Sequence, residues 1–96
     1  MEEATTGHAQ YRPSAGVLVQ NLPNGETVLL HLGTEKYFGL DAVGARVWSG
    51  LEAGLDLPAI QGQLLDDYDV VEDQLTTDLA ALVQQLLHLG LVRSVG

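Results

Sequence analysis

The sequence predicts a small α+β domain of winged-helix type, a three-stranded antiparallel sheet followed by three helices. Two apolar runs that flank an Asn24-Gly25 pair read as a hairpin. At Asp41 the spacing of apolar residues changes from alternate to helical. A leucine-rich stretch from Glu72 then closes at Gly90 as the longest helix.

Residues 1–14, "MEEATTGHAQYRPS", carry no periodic apolar pattern and are expected to form a flexible arm that tolerates truncation, ahead of a domain spanning residues 15–96. In "GVLVQNLPNGETVLLHL" the Asn24-Gly25 pair is expected to supply the positive φ angles of a tight turn. Val28, Leu30 and Leu32 alternate with Leu29 and His31 along the second arm. Gly33-Thr34-Glu35 makes the next turn, and "KYFGL" is the third strand of a meander.

Asp41 follows at once, and its carboxylate suits the cap of a helix beginning at Ala42. Val43, Val47, Trp48 and Leu51 form the buried stripe of that helix, with Gly50 and Gly54 loosening its exit. A second helix opens with Asp56 as cap and Pro58 in the first turn, turns Leu57, Ile60, Leu64 and Tyr68 inward, and stops in "DDYDV". Gly62 weakens it. The third helix spans about residues 72 to 89. Its stripe is wide: Leu75, Leu79, Leu82 and Leu86 form one row, Val83 and Leu87 a second. Either sheet and earlier helices cover both flanks, or one flank walls a groove; the pattern is compatible with both.

With 96 residues the chain has room for one modest core. Thirteen acids against four bases give a formal charge of −9, which repels a phosphate backbone. Helix 72–89, the one a winged-helix protein would place in a DNA groove, holds Glu72, Asp73 and Asp78 and no lysine or arginine, so no nucleic-acid partner is expected. No apolar run reaches the about 18 to 20 residues of a membrane span, and the N-terminus lacks the order of a secretion signal, so a cytoplasmic protein without a membrane partner is expected. Cysteine is absent, which excludes disulfides and thiolate metal sites. His8, His31 and His88 lack metal-ligand spacing, and Asp66, Asp67, Asp69, Glu72 and Asp73 lack the order of an EF-hand loop. No catalytic residues, metal or cofactor are expected.

The third strand would lie at a sheet margin with unpaired N–H and C=O groups, where an extended peptide can add a fourth strand; its shortness could equally serve to protect the edge. At this point the residues resemble a known family. "YFGLDAVGARVWSGLEAGLDLPAIQGQLLDDYDV" followed by "TDLAALVQQLLHLGLV" is similar to PqqD-like proteins, the precursor-peptide recognition elements of ribosomally made, modified natural products. The resemblance covers roughly residues 14 to 95. It rests on the aromatic-aromatic-Gly-Leu-Asp junction Tyr37–Asp41, the Gly-Ala-x-Val-Trp helix Gly44–Trp48, Tyr68–Val70, and Leu-x-x-Gly-Leu-Val at Leu87–Val92. The short, cysteine-free chain most resembles the leader-binding proteins of lasso-peptide pathways.

The resemblance implies a non-catalytic adaptor that binds a precursor's leader as an added strand and presents it to a leader peptidase and a cyclase. It implies pairing along Lys36, Tyr37, Phe38 and Gly39, with a cleft built from Leu75, Asp78, Leu79, Leu82, Val83 and Leu86. Asp78 would meet a polar or basic leader group. A PqqD-type partner of a radical enzyme, or a structural subunit of a larger enzyme, are the alternatives. Val71 departs from the family pattern by standing where relatives have a serine or threonine cap, which leaves the start of the third helix open.

Overall fold

The computed structural model describes residues 10–95. Eight elements follow one another: strands β1 (Gln10–Pro13), β2 (Val17–Asn21), β3 (Thr27–His31) and β4 (Lys36–Leu40), helices α1 (Ala42–Glu52), α2 (Leu57–Asp67) and α3 (Glu72–His88), and strand β5 (Val92–Val95). The expected meander is the sheet β2-β3-β4, both pairs antiparallel, with the three helices after it. A second sheet of two strands pairs β1 with β5, from Gln10 opposite Val95 to Pro13 opposite Val92.

That ribbon corrects the expectation of an arm extending to residue 14. Residues 10–13 are strand, and residues 1–9 lie outside the described residues. The ribbon forms because Tyr11 packs on the core and Val92 is buried within it, while the Arg12 guanidinium sits over Gly54 at the C-terminal end of α1, where the helix dipole favours a cation. The Ser14 amide donates to the Leu91 carbonyl at 2.9 Å and prolongs the pairing.

The first hairpin turn also differs in detail. Only Gly25 takes a positive φ, +89°. Its amide donates to the Leu22 carbonyl at 3.1 Å, so Pro23 and Asn24 occupy the two central positions of a β-turn with Gly25 just after it. Asn24 contributes through its side chain, accepting from the Glu26 amide at 3.0 Å. In the second turn the left-handed residue is Glu35, φ +61°, and the His31 ring holds the loop by accepting at Nδ1 from the Gly33 and Thr34 amides at 3.1 and 3.2 Å.

The first two helices begin as the sequence predicts. Asp41 accepts from the Gly44 amide at 2.7 Å and Asp56 from the Ala59 amide at 3.0 Å. α3 starts at Glu72 with Val71 as an N-cap that makes no side-chain hydrogen bond; Glu72 and Asp73 in its first turn complement the dipole instead. α1 and α3 end alike: Leu55 and Leu91 amides donate back to Gly50 and Leu86 carbonyls, and the Gly54 and Gly90 amides to Leu51 and Leu87, the double closure of a Schellman motif. Gly50 does not loosen α1 as the sequence suggested. It is buried where α1 meets α2, and a Cβ there would stand 2.6 Å from Ile60 Cγ1.

The core joins Leu29 and Leu40 of the sheet to Val47, Trp48 and Leu51 of α1, Ile60 and Leu64 of α2, Leu75, Leu79 and Leu86 of α3, and Leu91 and Val92. Arg46 ties α1 to α2 through Asp67 at 2.6 Å, with its guanidinium 5.7 Å from the Tyr68 ring centre. Among the described residues no helix is long and apolar enough to cross a membrane.

Candidate functional site

β4 is the margin of the sheet, and the hydrogen-bond alternation of its neighbours shows which of its groups are free. On the β2 side of β3 the closing bonds join Leu32 to Gly16 at 2.9 Å and Leu22 to Glu26 at 2.8 Å, so even-numbered residues of β3 bond β2. Odd-numbered residues then serve β4. His31, Leu29 and Thr27 face Lys36, Phe38 and Leu40, which leaves the N–H and C=O groups of Tyr37 and Gly39 directed to the open edge. Side chains alternate on the same period: Phe38 turns inward beside buried Leu29, and Tyr37 is 74% exposed on the outer face.

A cleft of about 430 Å³ runs beside this edge. One wall is the end of β4 and the start of α1, from Phe38 to Gly44 with Val47; the other is the first half of α3, from Gln74 to Leu82, and Val70 closes one end. Its lining is mainly aliphatic. Leu75 and Leu79, 6% and 4% exposed, form the floor; Leu82 is half-buried on the wall. Two carboxylates reach it. Asp41 is committed to capping α1, whereas Asp78 accepts only from Gln74 Nε2 at 2.9 Å and faces no base among the described residues.

An open strand edge, an adjoining apolar cleft and one available carboxylate are features of the kind by which sheet proteins take up an extended chain. The family model for coenzyme PQQ synthesis protein D, PqqD, matches residues 26–92, more than half of the sequence. The chain belongs to the PqqD family. A solved structure described as TbiB1 in complex with the TbiA(beta) leader peptide is similar to it: 36% identity, a TM-score of 0.79, and coverage of 85% of this chain and 94% of that one. No curated protein matches the sequence.

In this PqqD-family chain the structure gathers six of the ten expected site residues around the cleft: Phe38, Gly39, Leu75, Asp78, Leu79 and Leu82. Lys36 and Tyr37 lie on the edge strand outside it, Lys36 with its backbone turned to β3. Val83 and Leu86, 2% and 0% exposed, face the interior and do not reach the cleft. Two causes act: Val83 is turned about 100° from Leu82 toward the interior, and Leu86, on the same row as Leu75, Leu79 and Leu82, lies one turn beyond the end of the cleft.

The cleft also holds residues that sequence reasoning passes over. Val43 and Val47, one turn apart on α1, supply part of the wall that α1 shares with β4, and Val70 and Gln74 border the mouth. The signal for the two valines is their place in the apolar stripe of α1, which by itself reads as core. Only the tight Leu40-Asp41 junction, which swings α1 back toward β4, reveals that part of that stripe is open. Among the described residues no group of three or more His, Asp or Glu side chains converges on a metal-sized site.

Proposed function

We propose that this protein is a non-catalytic adaptor that binds the leader segment of a ribosomally made precursor peptide and delivers it to processing enzymes, a leader peptidase and a cyclase, in lasso-peptide or related biosynthesis. The observation that carries the reading is the free edge of β4, with Tyr37 and Gly39 groups directed outward, beside an aliphatic cleft. Similarity to TbiB1, whose structure holds a leader peptide, supports it.

In this reading the leader adds a fourth strand to β4. Hydrogen bonds to Tyr37 and Gly39 contribute about 0.5 to 1.5 kcal/mol each, and apolar leader side chains entering between Phe38 and Leu82 add about 25 cal/mol per Å² buried, against the entropy of ordering the peptide. Phe38, Leu75, Leu79 and Leu82 receive the apolar anchors, and Asp78 receives a basic or polar group at the mouth. Val83 and Leu86 act behind them by holding α3 in place. Tethering the leader raises the local concentration of the adjoining core peptide at a processing enzyme, with no chemistry asked of this chain.

The experiment is a fluorescence-anisotropy titration with the precursor encoded beside the gene, intact and without its leader. Micromolar or tighter binding that vanishes with the leader is expected. Equal binding of the leaderless peptide, or no binding of either form, contradicts the proposal and leaves a structural subunit as the better reading.

A further inference from the structure

The groove between β4 and α3 does not stop at Phe38. On the other side of that ring a second, more open hollow of about 470 Å³ continues along the last turns of α3, lined by Gln84, Gln85, His88 and Leu89. Phe38 is the shared partition, since it lines both hollows. Their chemistry differs. The first is walled mainly by valines and leucines, with Asp41, Gln74 and Asp78 among its lining. The second has an apolar base of Phe38 and Leu89 and a larger polar share, two side-chain amides and an imidazole, all three exposed and none with a side-chain hydrogen-bond partner among the described residues.

We infer that the second hollow is a polar subsite of the same peptide groove, and that it takes an uncharged hydrogen-bonding side chain, an amide or a hydroxyl, of the leader strand. The inference rests on the leader reading above and adds a specificity rule to it. A strand laid along β4 places alternate side chains on one face, about 6.5 to 7 Å apart, so residues separated by an even number of positions can enter the two hollows on either side of Phe38. The required pattern is therefore apolar on one side and polar on the other, in the same phase.

The charge of the occupant follows from its surroundings. Each glutamine offers both a donor and an acceptor; an amide or hydroxyl can match both, whereas a cation meets only the acceptor and leaves the amide donor to water. The C-terminal end of α3 carries partial negative charge and the chain a formal −9, so a carboxylate is disfavoured there.

The test uses a fluorescein-labelled leader of the neighbouring precursor, replaced by alanine one position at a time, against the wild type and the Gln84→Ala/Gln85→Ala variant. Both glutamines are exposed, so the variant keeps the fold. One polar leader position should cost roughly two- to tenfold in affinity on the wild type, the range of one or two neutral hydrogen bonds, and cost nothing on the variant. Apolar leader positions should lose the same factor on both proteins. A variant that binds the parent leader as tightly as wild type, or a coupling confined to apolar positions, overturns the polar subsite while the leader reading stands. Absence of leader binding to the wild type overturns both.

Discussion

Leu82 and Val83 are neighbours in sequence and look in different directions. Leu82 stands half-buried on the cleft wall, and Val83 is 2% exposed inside the fold. Leu82→Ala should weaken leader binding about five- to thirtyfold, the loss of one or two kcal/mol of apolar contact, with the melting temperature near that of wild type. Val83→Ala should do the reverse, costing about 1 to 3 kcal/mol of stability and leaving the affinity of the folded protein nearly unchanged. Glycines divide in the same way. Gly50→Ala forces a Cβ to within 2.6 Å of Ile60 Cγ1 and should destabilise by about 1 to 3 kcal/mol, whereas Gly62→Ala meets nothing within 4 Å and should stabilise α2 by about 0.5 to 1 kcal/mol. Thermal melts of the two variants decide it. At this scale the sequence is informative where chemistry is local: Asp41 and Asp56 cap their helices as expected, and Gly90 ends α3 as expected. It is silent on rotation. A wide apolar stripe is compatible with two covered flanks or with one that walls a groove, and only packing decides which of Leu82, Val83 and Leu86 meets the open cleft.

Among the elements, β4 matters most because its two directions are not equivalent. The Phe38 amide serves β3 and the Gly39 amide faces the edge. Phe38→Pro should therefore lower stability by removing a ladder bond together with a packed ring, and Gly39→Pro should leave the fold standing and abolish a leader contact, with affinity down about two- to tenfold. Similar effects of the two prolines on both stability and affinity would contradict the assigned alternation. The meander and the helices are legible because turn residues and apolar periods point to them independently. β1 and β5 are not. Each has four residues, β1 ends in a proline, and neither shows an alternating pattern long enough to distinguish it from a tail. Their pairing joins the two ends of the described chain, a long-range fact that no window of sequence contains.

For the molecule as a whole, charge is the strongest influence outside the cleft. With a formal −9, and with Asp78 at the mouth facing no base among the described residues, attraction to a leader with basic residues should be long-ranged and screened. Raising the salt concentration from 50 to 500 mM, roughly a threefold shorter Debye length, should weaken binding of such a leader mainly through its association rate, and stopped-flow measurements at the two concentrations check this. A leader of equal negative charge with salt-independent association would count against the electrostatic part alone. The strand-addition claim has a more direct test, because it names two amides. Hydrogen exchange at Tyr37 and Gly39, followed by NMR with and without the precursor's leader, should be fast in the free protein and slowed at least about tenfold in the complex, while the already bonded Phe38 amide changes little. Saturating leader with unchanged exchange at both Tyr37 and Gly39 would show that the peptide binds elsewhere.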